Sequence, residues 1–221
     1  MNEYFKNIAI QSKNFWTREN WGMIATSFIW LLIALIIQTA LEIYLRTITG
    51  VAVGDLILDN IPMVNSEFFI IQGALASTFL AVFLLFTKPK FFCFGIKAFS
   101  LFIITRALMN SMTHLGYMPE ALMHDGTAFG YPVYNVLYHK WNDFFFSGHT
   151  GMPIMMALIF WEEKSWRYIF LVIGAILAIS VLLAHLHYSI DVFAAPFITY
   201  SLFALARHMF PKEFAYSRKA G

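Results

Sequence analysis

The chain has 221 residues, enough for one or two ordinary soluble domains, but 59% of them are hydrophobic, 18% aromatic and only 13% charged. That composition argues against a water-exposed surface and therefore against a soluble domain. Fifteen Lys and Arg against thirteen Asp and Glu leave a net charge of +2, too weak a basic field to hold a nucleic-acid backbone, so no nucleic acid is expected as a partner.

In chain order, residues 1–20 mix Tyr4, Phe5, Ile8, Ile10 and Phe15 with polar neighbours. They read either as an inner-surface helix or as a solvated cytoplasmic tail. A membrane crossing needs roughly 20 mainly apolar residues, and six stretches qualify. They are 22–45, 68–86, 91–109, 144–161, 168–184 and a last one apolar only over 192–206. The last must begin near His187 to span, which draws the polar H-Y-S-I-D segment into it. The first stretch is too long for a signal-peptide core and follows a polar segment, so it is expected to be retained. Lys97 and Arg106 interrupt the third, and Cys93 lies there as a packing residue with no intrachain disulfide partner. The fold class expected is all-α: a six-transmembrane-helix bundle over 21–210, an N-terminal interfacial segment over 1–20 and a cytoplasmic tail over 211–221.

Orientation follows from charge. Eleven of the fifteen Lys and Arg fall in connections on one side, Arg46 and Lys140 fall on the other, and Lys97 and Arg106 lie within the third stretch. The bias places both termini in the cytoplasm. Trp16, Trp21, Trp161 and Trp166 sit at inner ends of spans, as an interfacial belt does. The longest connection, 110–143, is external, carries Pro119, Gly130 and Pro132, and is expected to form a short re-entrant or surface helix over the outer mouth.

Ionisable residues inside membrane spans are costly, so clusters of them point to function. One cluster is N-D-F-F-F-S-G-H-T-G at 142–151, entering the fourth stretch, and the other is H-L-H-Y-S-I-D-V at 185–192. Both fall on the external side, where they can meet. His187 and Asp191 are four residues apart, on one helical face, so Asp191 can take one ring proton and leave the other nitrogen free to attack. Ser147, Gly148 and His149 open a helix whose N-terminal N–H groups favour an anion such as phosphate. Asp143 stands at the water boundary, six residues before His149, where it can tune a histidine or accept an alcohol proton. Alone, each motif is ordinary: a Ser-Gly pair is often only a cap and a His only a hydrogen-bonding residue. A zinc site from His185, His187 and Asp191 is disfavoured, because H-x-H on a helix turns its rings apart and no H-E-x-x-H supports it. No metal or cofactor is expected.

The pairing of S-G-H-T with H-Y-S-I-D resembles the type 2 phosphatidic acid phosphatase superfamily of membrane lipid phosphatases, and within it most closely the sphingomyelin synthase branch. There, an Asp, three apolar or aromatic residues and S-G-H-T form the first motif, matched by Asp143 to Thr150. A-H-x-H-Y-[ST]-[IV]-D-V forms the second, matched by Ala184 to Val192. T-R-A-L-M-N-S-M-T-H-L at 105–115 looks like the family's Arg-containing third span. The resemblance implies a metal-independent site facing outside or the lumen, with a triad of His149, His187 and Asp191. His187 attacks phosphorus to give a phosphohistidine, Asp191 orients it, and His149 handles the proton of the leaving alcohol. Asp143 joins the site, Ser147, Gly148, Thr150, Arg106 and Tyr188 contact substrate, and Glu120 is the nearest candidate for an acidic residue from the external connection.

The chain departs from the phosphatase branch in two places. It has no K-x-x-x-x-x-x-R-P, and the position six before His187, where phosphatases carry Arg, is Val181. A phosphate monoester carries nearly two charges and wants several cations, whereas a diester carries one. The expectation is therefore an integral multi-pass enzyme that moves a phospho-head-group, phosphocholine- or phosphoethanolamine-like, from a phospholipid to ceramide or diacylglycerol. Membrane lipids are its expected partners. A hydrolase with water as acceptor is the alternative, and a carrier or haem protein using His149 and His187 as ligands is a third class.

Overall fold

The computed structural model describes residue 13 and residues 15–122, 126–138 and 144–218. Among them are eight α-helices and no strand: α1 (Trp21–Leu45), α2 (Glu67–Thr87), α3 (Phe92–Thr113), α4 (Tyr131–Tyr138), α5 (Gly148–Ile159), α6 (Lys164–Leu183), α7 (Ser189–Met209) and α8 (Pro211–Ser217). Five helical stretches, ending in α1, α2, α3, α6 and α7, are long and apolar enough to cross a membrane. These helices mark the chain as an integral membrane protein.

The fourth apolar stretch differs from expectation. It is helical only over the twelve residues of α5, about 18 Å at 1.5 Å per residue, well short of a hydrocarbon core. Its burial supplies the reason for its apolar sequence. Nearly every α5 residue is buried, enclosed by α6, α7, α3 and α2, so the helix meets protein rather than lipid. A small residue makes that enclosure possible: a Cβ on Gly151 of α5 would lie 2.8 Å from the Phe102 ring of α3 and 2.9 Å from Thr199 Oγ1 of α7.

Contacts define two ends of the bundle. At the upper end, Tyr44 Oη lies 3.1 Å from His114 Nε2, Val64 N–H donates to Leu183 O at 2.8 Å, and Ser66 Oγ donates to Ser180 O at 2.7 Å. At the lower end, the Phe91 and Phe160 rings are 4.7 Å apart and Lys88 Nζ pairs with Glu163 at 2.6 Å. Helices α1 and α3 therefore run parallel, and α5 descends from mid-depth to the lower end. α1 is the outlying helix. It packs chiefly on α3, burying little besides Ser27 and Ala34 at the seam while Phe28, Ile29, Leu32 and Ile36 face outward.

The segments expected to be tails are partly docked. Phe15 is 1% exposed, packed on Phe92 and Tyr216, whereas residues 1–12 and 14, most of the segment 1–20 read as either an inner-surface helix or a solvated tail, lie outside the described residues. Residues 211–217 form α8, whose Glu213 pairs with Lys97 of α3 in a buried ion pair. That pair accounts for a lysine within an apolar span.

Candidate active site

At the upper end, the chain between α6 and α7 builds the first half of the site. Ala184 stops α6, and His185 takes a left-handed backbone (φ +54°) that turns the chain toward α7. Asp191, in the first turn of α7, accepts the Tyr188 N–H through Oδ2 at 3.0 Å, capping the helix. The same Oδ2 lies 3.5 Å from His187 Nδ1. That is ion-pair reach but outside hydrogen-bond geometry, and both His187 Nδ1 and Asp191 Oδ1 lack a hydrogen bond among the described residues. Asp191 is fully buried and His187 is 4% exposed, so a small rotation of either side chain closes a contact that is otherwise costly to leave open.

The second half comes from α5. Ser147 is its N-cap, accepting the Thr150 N–H at 3.4 Å and the Thr150 hydroxyl at 3.3 Å. The Ser147 N–H in turn donates to Asp191 O at 3.1 Å, which ties the two motifs together through the backbone. The His149 and His187 rings meet edge to face, 5.6 Å between centroids and 67° between planes. Arg106 completes the group: its Nε donates to Phe146 O at 2.7 Å, and a Cβ on Gly148 would lie 2.9 Å from its Cζ. Any side chain there would push the guanidinium away from the helix. The first turn of α5, with its positive dipole end, thus opens directly beneath a guanidinium.

Helix α4, the short helix expected in the external connection, lies over this group. Tyr134 Oη is 2.9 Å from His149 Nε2, and Tyr138 stacks on the same imidazole at 5.1 Å. The two tyrosines are four residues apart and so share one face of α4. Together these elements close one end of a cavity of about 550 Å³. Its chemistry-bearing wall holds Arg106, Gly148, His149 and His187, and much of the remainder is apolar, including Leu35, Phe99, Ile103 and Met152. Such a cavity accepts an anionic group at its histidine end and hydrocarbon along its sides.

Placement of the expected site residues is uneven. His149, His187, Asp191 and Arg106 converge, and Gly148 lines the cavity with them. Ser147 and Thr150 bond to one another beneath it. Tyr188 does not reach the cavity: its hydroxyl donates to Gly116 O at 2.8 Å and accepts the Val53 N–H at 3.2 Å, pinning two connections. Glu120 is exposed and away from the cavity wall. Asp143 lies outside the described residues. Five residues went unnoticed in the sequence. Tyr134 and Tyr138 were signalled only by an i,i+4 aromatic pair, and Gln38 and Glu42, which also line the cavity, only by polarity within an apolar span. Asp55 had no signal. Its carboxylate accepts the Ser189 N–H at 2.6 Å and the Ile57 and Leu58 N–H groups at 3.0 and 3.1 Å. Burial pushes that carboxyl up, but these donors together outweigh it, and the net pKa lies below the ordinary carboxylate value.

An all-helical membrane protein with paired histidines, a buried carboxylate and an arginine at a helix N-terminus is the class that fold and site define. Residues 141–209 match the family model described as PAP2 superfamily C-terminal. The match takes in both histidine motifs and supports the PAP2 superfamily, with which a function of lipid phosphatase or phosphotransferase type fits. No curated relative matches the chain.

Proposed function

We propose that the protein is a lipid head-group phosphotransferase of the sphingomyelin synthase kind, acting by two in-line displacements. The observation that carries this reading is the adjacent pair of His149 and His187, ring centroids 5.6 Å apart, at the end of a largely apolar cavity that also holds Arg106. The donor is a phospholipid with a phosphodiester head group. Its phosphate rests against Arg106 and the first-turn N–H groups of α5, where a single negative charge meets one guanidinium and a helix dipole. His187, held by Asp191 in the tautomer that frees Nε2, attacks phosphorus, and the diacylglycerol oxygen departs with a proton from His149. A lipid alcohol of the ceramide or diacylglycerol type then gives its proton to His149 and takes the group from His187, regenerating the free imidazole. Tyr134 holds the His149 ring throughout.

The apolar walls favour a lipid acceptor, and the same site with water as acceptor is a hydrolase. In the membrane arrangement that goes with this reading, the chain crosses six times, α5 and the segment before it making the fourth passage. Both termini are cytoplasmic and the cavity opens to the outer or lumenal leaflet. The lower end carries Lys88, Lys90, Lys164, Arg167, Arg207 and Lys212, which supports that orientation.

The test is rapid quench with phosphorus-labelled phosphatidylcholine or phosphatidylethanolamine, with and without ceramide or diacylglycerol. Wild type is expected to trap an acid-labile, base-stable adduct that chases into a new phospholipid only when the acceptor is present. His187→Ala should trap none, and Asp191→Asn should lose about 10⁴ in rate, as a comparable wrong-tautomer change does elsewhere. No adduct on wild type together with turnover by His187→Ala would refute the mechanism. Chase into free phospho-head-group alone would make the protein a hydrolase.

A further inference from the structure

The cavity wall is not uniform beyond the histidines. On the α1 side it carries two polar side chains, Gln38 and Glu42, among Leu35, Leu41 and Leu45. Four residues apart, they share one face of α1.

Their depth can be fixed against α3. At one point of the parallel seam Ser27 Oγ donates to Cys93 O at 3.3 Å, 66 residues on, and near the top Tyr44 Oη meets His114 Nε2, 70 residues on. By that offset Gln38 is level with Arg106, and Glu42 with Asn110, which is buried and lines the same cavity. Along the seam Glu42 therefore lies about one turn, roughly 6 Å of rise, above the level of Arg106. Among the described lining residues the fixed charges are one cation low in the cavity and one anion a turn higher.

We infer that Glu42, with Gln38 below it, is the subsite for the cationic nitrogen of a zwitterionic phospholipid head group. The inference rests on the proposed head-group chemistry and deepens it by naming what selects the donor. When the phosphate occupies Arg106, the two-carbon bridge of a phosphoethanolamine or phosphocholine group carries its nitrogen a comparable distance along the wall, to the carboxylate. A phosphoglycerol head group brings no cation to Glu42 and leaves that charge unanswered by the substrate. Arg46 does not preclude this role. It pairs with Glu42 Oε1 at 2.8 Å, but its side chain is 61% exposed against 16% for Glu42. The Arg46 guanidinium thus already stands largely in water, so its share of the carboxylate can pass to an arriving ammonium.

The experiment is equilibrium displacement of a fluorescent phospholipid from the purified full-length protein by phosphatidylethanolamine, phosphatidylcholine or phosphatidylglycerol in mixed micelles. Wild type is expected to bind the two zwitterionic lipids more tightly than phosphatidylglycerol. Glu42→Gln should cut that preference by about tenfold, the size of a charge contact offset by partial desolvation. Phosphatidylglycerol binding serves as the control for folding, and Glu42→Asp, which keeps the charge, should keep most of the preference. An unchanged preference in Glu42→Gln, or none in wild type, overturns the subsite. Because this arm needs no turnover, the two readings fail separately. If the preference follows Glu42 while no donor is cleaved, the chemistry falls and the subsite stands. If donors are cleaved with equal selectivity by wild type and Glu42→Gln, the subsite falls and the chemistry stands.

Discussion

Gly148→Ala separates the geometry of the anion site from the stability of the helix that builds it. The added Cβ would lie 2.9, 3.0 and 3.2 Å from Arg106 Cζ, Nε and Nη1, where ordinary contact begins near 3.5 Å. The guanidinium must then retreat by several tenths of an ångström or more. Its charge-assisted bond to Phe146 O, 2.7 Å in the native protein, stretches or breaks, and such bonds contribute about 1.5–3 kcal/mol. Alanine is the better helix former by up to about 1 kcal/mol, which offsets part of that loss, so the melting temperature should fall by only a few degrees. Activity should fall far more, about 10- to 100-fold in kcat/KM, since misplacing a positioning cation by about 1 Å costs that order. The assay is initial rate of head-group transfer or release from labelled phospholipid, beside a thermal melt of the same preparation. Arg106→Lys, which cannot present the same planar fork, should show a similar loss, and the double variant should be little worse than either single one. An activity within twofold of wild type for Gly148→Ala would refute the claim that Arg106 must sit against the first turn of α5.

Two further outcomes are expected. Tyr134→Phe removes the hydroxyl 2.9 Å from His149 Nε2 and should lower kcat two- to tenfold with little change in KM, the range of one neutral hydrogen bond; steady-state kinetics on a short-chain lipid would show it. Asp55 has a native pKa below its unfolded value, which is near 4. Its contribution to stability is thus complete above about pH 4 and lost as pH falls through the depressed native value. Melting temperatures from pH 7 down to 3 should decline less steeply in Asp55→Asn, which begins lower at pH 7.

Much of this site was legible because its chemistry is carried in two short motifs. S-G-H-T and H-Y-S-I-D each specify a turn and a helix start, and the count of crossings puts them at one end of the bundle. What was not legible depends on which neighbour a residue meets. The stretch 144–161 has the same hydropathy whether it faces lipid or other helices, so the shortness of α5 had no trace in composition. Tyr188 sits inside the second motif yet bonds to Gly116 and Val53, since motif membership does not fix where a phenol points. Glu120 was the candidate because the resemblance implies an acidic residue from the external connection. The acidic side chain on the described cavity wall comes instead from α1, where the 3.6-residue period leaves open which face looks inward.

The seam between α1 and α3 divides labour within the molecule. Every group that converges on the histidine end comes from α3, α4, α5, the connection between α6 and α7 or the start of α7, whereas Gln38 and Glu42 come from a helix joined to the rest chiefly through α3. Substitutions on the cavity face of α1 therefore change what the enclosure accepts while the histidines keep their register. Substitutions at Ser27 or Ala34, which set how near α1 stands, widen or narrow the whole enclosure at once. Selectivity in this architecture can drift residue by residue on one outlying helix, insulated from the machinery it serves.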